Sequence, residues 1–237
     1  MTQTTITGTT VAILALFFFF QAGICHAAGR LFILGIDESG SYVLRDQTMS
    51  IVKKFIVKEM EPGDTLYARR ITDESYPDIP KNLLLPNAVR LPELDPEPKN
   101  RFDPSAKKKY IKAQRRINLI KKKMIVHIQN RKPLNAPKTD IYGFLAACAD
   151  RLAYSRQYSE TLILIFSDMQ DNCRRYMKLD LAGTKIVILA FQKEVDPAKT
   201  KKLREKWIKT FKEMSAKDVT FLGSDQDLKL ALHAQSN

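Results

Sequence analysis

Short apolar runs alternate along this chain with longer stretches in which apolar residues recur every three or four positions. Residues 161–166 (TLILIF) and 184–191 (TKIVILAF) are nearly continuous apolar runs, which are typical of central parallel strands covered by helices on both faces. Residues 31–36 form a third such run. Strands of this kind separated by amphipathic helices predict the α/β class, with a doubly wound, mostly parallel open sheet flanked by helices.

The remaining elements follow from the same periodicities and from turn residues. Further strands are predicted at 65–72, 82–91 and 219–222, and the second of these is an edge strand because Pro86 cannot donate a hydrogen bond to a central ladder. Helices are predicted at 42–60, 105–130, 141–154, 197–215 and 225–233. Four prolines between residues 92 and 104 predict an extended linker.

The helix predicted at 105–130 carries an apolar stripe surrounded by positive charge. The stripe consists of Tyr110, Ala113, Ile117, Ile120, Met124 and His127. The basic residues around it are Lys107, Lys108, Lys109, Arg115, Arg116, Lys121, Lys122 and Lys123. Residues 99–138 contain 14 Lys or Arg and one acid, which leaves 25 basic and 25 acidic residues elsewhere. The net charge of +13 therefore belongs to this segment, and we interpret residues 92–137 as a basic insertion in a domain spanning 29–237.

The basic residues of this helix have several interpretations. Their face is simply solvated if the apolar stripe packs on the domain. Alternatively, they bind a partner, which would be an acidic protein or an anionic membrane surface. Charge of one sign at this density also suits nucleic acid. Nucleic acid is disfavoured because the chain is expected to be exported and the helix has no interleaved aromatic residues beyond Tyr110.

The first 28 residues form a separate unit without Lys, Arg, Asp or Glu. Residues 11–20 are apolar and residues 21–28 are mostly small, which predicts a secretory signal peptide cleaved after Ala27 or Ala28. We expect a periplasmic or extracellular protein. An uncleaved membrane anchor and a buried helix are the alternatives, although the apolar run is shorter than the roughly 20 residues of a membrane span. Cleavage would leave Cys148 and Cys173; an oxidising compartment permits a disulfide between them, and the alternative that we favour is two unpaired thiols.

Candidate chemistry begins directly after the first strand, in residues 37–41 (DESGS). Asp37, Ser39 and Ser41 lie at i, i+2 and i+4, and such oxygen ligands suit Mg²⁺, Mn²⁺ or Ca²⁺. Alternatively, Asp37 and Ser39 cap the next helix. Thr139 enters a later helix and Asp168 follows the strand at 161–166. In sheets of this class, ligands bind at the carboxyl ends of strands, where all these residues are expected.

These residues resemble the von Willebrand factor type A domain family, whose metal-ion-dependent adhesion site combines DxSxS, a distant Thr and an Asp after the fourth strand. The resemblance implies that Ser39 and Ser41 bind a divalent cation directly, with Mg²⁺ the first expectation and Mn²⁺ or Ca²⁺ the alternatives. Thr139 would bind it directly or through water, and Asp37 and Asp168 would mostly hold waters. A carboxylate of a partner protein would fill an open position of the cation.

The chain departs from the family at Met169, where the family often has glycine, and in the long interval before Thr139. We interpret Glu38 and Asp171 as solvated loop acids, with extra acids near the site as the alternative. The expected function is an exported, non-enzymatic, metal-dependent protein-binding module for adhesion or assembly. The alternatives are an α/β enzyme of the hydrolase or phosphatase type and binding through the basic helix to membrane or nucleic acid. Phosphoryl transfer of the haloacid dehalogenase kind is disfavoured because it requires DxD, and Ser39 occupies the second acidic position.

Overall fold

The computed structural model describes residues 29–98, 103–173, 176–191, 196–223 and 228–233. Within these residues six strands form one sheet in the order β3-β2-β1-β4-β5-β6. They are β1 (Leu31–Asp37), β2 (Thr65–Ile71), β3 (Val89–Arg90), β4 (Thr161–Phe166), β5 (Lys185–Leu189) and β6 (Asp218–Phe221). All neighbouring pairs are parallel except β2 and β3. The predicted mostly parallel α/β sheet is confirmed.

Helices cover both faces of the sheet. They are α1 (Arg45–Lys54), which continues as a π-helical turn at Phe55–Glu59, then α2 (Pro104–Gln129), α3 (Ile141–Leu152), α4 (Pro197–Glu213) and α5 (Leu228–His233). Two of them begin with the dipeptide Asp-Pro. The carboxylates of Asp103 and Asp196 accept hydrogen bonds from the first free N–H groups, and the proline that follows has no N–H to satisfy.

The alternation of side chains along β1 divides the core into two layers. Phe32, Leu34 and Ile36 face a layer completed by α1, α2 and α5, whereas Leu31 and Ile33 face a layer completed by α3 and α4. Gly35 has no side chain because the ring of Phe144 in α3 lies directly over it. A Cβ at Gly35 would lie 2.5 Å from the nearest atom of that ring.

The third strand is shorter than the sequence predicts. Of the expected 82–91, only Val89–Arg90 pairs with β2, and Leu83 forms an isolated bridge with Arg69. Pro86 lies between these two contacts and interrupts the ladder, since proline has no N–H to donate. Residues 228–233 of the predicted last helix are helical, and residues 225–227 of that prediction lie outside the described residues.

The apolar stripe of α2 packs on the domain. Ile117, Met124 and Ile128 are buried in the same layer as Phe55, and Ile120 is partly buried against it. The stripe ends at Ile128, whereas its predicted last member, His127, is exposed. Because 3.6 residues complete a turn, Ile128 lies directly below Met124.

The predicted leader at residues 1–28 lies outside the described residues. Among the helices that are described, none is both long enough and apolar enough to span a bilayer.

Candidate metal centre

The loops after β1 and β4 meet because these two strands are parallel neighbours in the middle of the sheet. Ile36 is in register with Phe166, so Asp37 at the end of β1 lies beside Ser167, and Asp168 follows. From β1 the chain crosses to β2 on one side, whereas β4 is followed by β5 on the other. This reversal of direction marks the position at which open α/β sheets bind ligands.

Hydrogen bonds connect four of the five predicted ligand residues. The Ser39 and Ser41 hydroxyl oxygens lie 3.2 Å apart, and the Ser41 hydroxyl donates to Asp168 Oδ2 at 3.1 Å. The backbone N–H of Ser39 donates to Asp37 Oδ1 at 2.9 Å. Asp37 Oδ2 accepts a 2.6 Å hydrogen bond from the hydroxyl of Ser167, which is not among the predicted ligands. The network therefore joins the β1 loop to the β4 loop through both carboxylates.

Thr139, the fifth predicted residue, is held between the same two loops by its backbone neighbours. Its carbonyl accepts a hydrogen bond from the N–H of Asn172, and Ala136, three residues earlier, pairs with Ser39. The Thr139 side chain is fully buried, and its hydroxyl has no hydrogen-bond partner among the described residues. A buried hydroxyl without a partner costs about 1–3 kcal/mol, so a cation or its water would relieve this cost. The donor set therefore fits a divalent cation that takes hydroxyl ligands.

Burial and charge repulsion act together on Asp37. Desolvation raises the pKa of Asp37 to about 6, hydrogen bonds from Ser167 and Ser39 oppose the rise, and the nearby Asp168 carboxylate adds to it. Both acids are almost completely buried. A cation beside them would stabilise their ionised forms. The site reaches solvent at Gly40 and Ser41, which are exposed.

Asp171 does not behave as the solvated loop acid that was predicted. Its Oδ2 accepts hydrogen bonds from the N–H groups of Ile141 at 2.7 Å and Tyr142 at 3.3 Å. A carboxylate from the β4 loop thus satisfies the free end of α3, where the helix dipole also favours negative charge. Asp171 fixes the helix that follows Thr139 against the loop that carries Asp168.

The prediction for Glu38 is wrong as well. Glu38 is buried, its Oε2 accepts a 2.9 Å hydrogen bond from the N–H of Leu134, and its Oε1 lies 3.8 Å from Arg70 Nε. We call residues 132–136 the clamp segment. Glu38 is one of several residues of the DESGS loop that contact it. Neither partner is near Glu38 in sequence, so composition and spacing gave no sign of its burial.

Further hydrogen bonds fasten the clamp segment to the loop. Ala136 donates to the Glu38 carbonyl at 2.8 Å and accepts from the Gly40 N–H at 3.1 Å. Arg45 of α1 spans both parts, since one of its nitrogens donates to the Glu38 and Ser39 carbonyls and another to Asn135 Oδ1. The backbone that carries Ser39 is thereby held from two directions.

Met169 adopts the backbone conformation that glycine usually provides. Its φ is +62°, in the left-handed region, and its side chain is fully buried. The Met169 N–H donates to Ser167 Oγ at 2.9 Å, and its carbonyl accepts a 2.7 Å hydrogen bond from Trp207 Nε1. These contacts fix the shape of the loop after β4, although methionine stands where the von Willebrand factor type A family often has glycine.

The basic residues selected on α2 divide into two groups. Lys121 is half-buried, and its ammonium group donates to the carbonyls of Val57 at 3.0 Å and Met60 at 2.6 Å. Burial lowers the pKa of Lys121. This residue therefore holds α2 against the end of the π-helical turn. The others are exposed: Lys107, Lys108, Lys109, Arg115, Arg116, Lys122 and Lys123.

Within the described part of the chain, no group of three or more His, Cys, Asp or Glu side chains is placed to hold a metal ion. A cation at the ends of β1 and β4 would therefore depend on hydroxyl ligands. Cys148 is buried and Cys173 is partly exposed.

Comparison with known proteins gives little further information. No family model matches the chain, and no curated protein matches it. One similar solved structure is crystal form 2 of proximal thread matrix protein 1 from the mussel byssus, with 14% identity and a TM-score of 0.45. The match covers 86% of this chain and 46% of the other, so this chain spans less than half of that protein's length. A likeness of this degree is too distant to bear on function.

Proposed function

We propose that this chain is a non-enzymatic, metal-dependent protein-binding module of the adhesion or assembly type. The proposal is supported above all by the hydrogen-bonded set of two serines and two carboxylates, together with the buried Thr139 hydroxyl, which has no partner among the described residues and follows a segment paired with Ser39. Ser39, Ser41 and Thr139 would hold the cation, and Asp37 and Asp168 would hold its waters. Mg²⁺ suits these hard oxygen ligands best, with Mn²⁺ and Ca²⁺ as alternatives.

The partner would offer a carboxylate to the cation. Two acids do not saturate a divalent cation in a buried site, so an acidic side chain that enters at the exposed Gly40 and Ser41 would complete its ligands. A groove of about 650 Å³ begins at Met169 and Gln170, directly after Asp168, and is lined on its other side by Lys199, Lys202 and Lys206. These ammonium groups favour a partner surface with further acids.

The predicted leader would direct this module to the periplasm or the cell exterior, or anchor it in the membrane if it is retained. Phosphoryl transfer is not favoured. Ser39 occupies the position of the second acid that such chemistry requires, and its side chain contacts Ser41 rather than a general base.

The test is metal-dependent thermal stability of the purified protein. A cation present at 100 times its dissociation constant raises the free energy of unfolding by about 2.7 kcal/mol, which we expect as a clear rise in the melting temperature with Mg²⁺ or Mn²⁺. Ser39→Ala and Thr139→Val should abolish the rise. Ser50→Ala, an exposed serine of α1, is the matched control and should retain it. If the rise is the same in the Ser39 and Thr139 variants, the site is not where we place it.

A further inference from the structure

Helix α2 has a second row of apolar residues on the side opposite its packed stripe. Ile111, Leu119 and Val126 are 38%, 53% and 45% exposed. They are separated by eight and seven residues, so they lie on one face of the helix, about half a turn of the helical wheel from Ile117 and Met124. None of the three belongs to either core layer.

Positive charge is interspersed within this row rather than confined to its borders. Arg115 lies between Ile111 and Leu119, and Lys122 lies between Leu119 and Val126, and both basic side chains are exposed. Helix α2 contains no Asp or Glu to neutralise them. Towards its end, Leu119, Lys122 and Val126 line an open groove of about 650 Å³.

We propose that this outer face, consisting of Ile111, Arg115, Leu119, Lys122 and Val126, docks an acidic amphipathic helix of a partner protein. The positions follow one another at steps of four, four, three and four residues, the spacing with which one helix packs along another. Apolar side chains of the partner contact Leu119 and Val126. Its carboxylates pair with Arg115 and Lys122, which would otherwise be covered without a counter-charge.

The charge pattern disfavours the other occupants. A second copy of this chain would bring two basic faces together, and like charges at an interface repel. A helix that lies in a membrane surface keeps its charges to one side of a broad apolar face, with Trp, Phe or Leu inserted. Here Arg115 and Lys122 lie at the centre of the face, and no aromatic residue accompanies Leu119 and Val126. Nucleic acid would use the charges but would leave the apolar row without a contact.

The experiment uses the full-length protein with a chelator present, so that its outcome is independent of the proposed cation site. The probe is a labelled 28-residue helical peptide with leucine at heptad positions a and d and glutamate at e and g. A scrambled peptide of the same composition is the comparison. Fluorescence anisotropy should show at least tenfold tighter binding of the amphipathic peptide. Leu119→Ala with Val126→Ala should weaken that binding about fivefold or more, and Arg115→Glu with Lys122→Glu should abolish it.

A matched pair of charge reversals controls for net charge. Lys201→Glu with Lys209→Glu changes two exposed lysines of α4 by the same amount and should leave peptide binding within about twofold. Melting temperatures show whether each variant is folded. The proposal is overturned if the scrambled peptide binds equally well or if the α4 pair weakens binding as much as the α2 pair. It is also overturned if phosphatidylserine vesicles or duplex DNA bind more tightly than the peptide.

Discussion

Replacing Met169 by glycine and by alanine measures how much the left-handed backbone beside the candidate metal centre costs. Both changes remove the buried side chain beyond Cβ, which for a methionine in a core costs about 2–5 kcal/mol, and glycine lacks the Cβ as well. They differ in the backbone, because φ at residue 169 is +62°. Alanine keeps the steric penalty of this conformation, about 1–2 kcal/mol, whereas glycine does not have it.

At most positions an alanine variant is more stable than a glycine variant, and at residue 169 we expect the opposite order. Glycine loses more conformational freedom on folding than alanine, by about 0.5–1 kcal/mol. Subtracting this from the relieved penalty leaves Met169→Gly more stable than Met169→Ala by about 0.75 kcal/mol at the midpoints of the two ranges, although both are less stable than the natural protein. The hydrogen bonds of the Met169 N–H and carbonyl are made by the backbone, so both variants keep them.

Urea unfolding followed by circular dichroism gives the two free energies, with equal m-values required for the comparison. Ala147→Gly in the interior of α3 is the control, where ordinary helical geometry predicts a loss of about 1 kcal/mol. A Met169→Ala variant as stable as Met169→Gly, or more stable, would refute the claim that residue 169 is held in a strained conformation.

Three further predictions concern other parts of the chain. Ser215 follows α4 with φ of +61° and is exposed, so Ser215→Gly should raise the free energy of unfolding by about 1 kcal/mol, and a lower melting temperature would contradict this. Burial raises the pKa of the Cys148 thiol. In native protein 29–237 a thiol reagent should therefore label Cys173 and should react with Cys148 only after denaturant is added, and equal labelling rates for the two cysteines would refute this prediction. The pKa of Asp37 is about 6 in the folded protein and about 4 in the unfolded chain. Between pH 4 and pH 6 the folded protein therefore binds more protons than the unfolded chain. The free energy of unfolding of the metal-free protein should therefore fall by roughly 2–3 kcal/mol as pH rises from 4 to above 6, and Asp37→Asn should remove that part of the slope.

The elements that the sequence predicted well are those determined by local signals. Residues 162–166 are all apolar, and β4 spans Thr161–Phe166 as predicted. The Asp-Pro pairs at 103–104 and 196–197 begin α2 and α4 because cap and proline act within one turn. The position of Asp37 and Asp168 at one edge of the sheet also followed from strand order, since both come directly after parallel strands.

The residues that the sequence did not predict make their contacts across long separations. Buried Glu38 accepts a hydrogen bond from the N–H of Leu134, 96 residues away. Asp171 caps a helix that begins 30 residues before it. Neither the spacing nor the chemistry of these acids indicates where the matching N–H groups will lie. Ser167 was likewise not predicted, because its 2.6 Å hydrogen bond to Asp37 depends on two strands being neighbours.

The clamp segment connects the basic helix α2 directly to the DESGS loop. Residues 132–136 follow α2 almost immediately, and they hold Glu38, Ser39 and Gly40 by backbone pairing. A displacement of α2 by a bound molecule would therefore reach the backbone of Ser39 through this segment, which Arg70 of β2 also contacts at the Lys132 carbonyl. If a ligand on α2 alters cation affinity by some factor, the cation must alter the affinity of that ligand by the same factor. Cation titrations with and without the helical peptide would measure this factor.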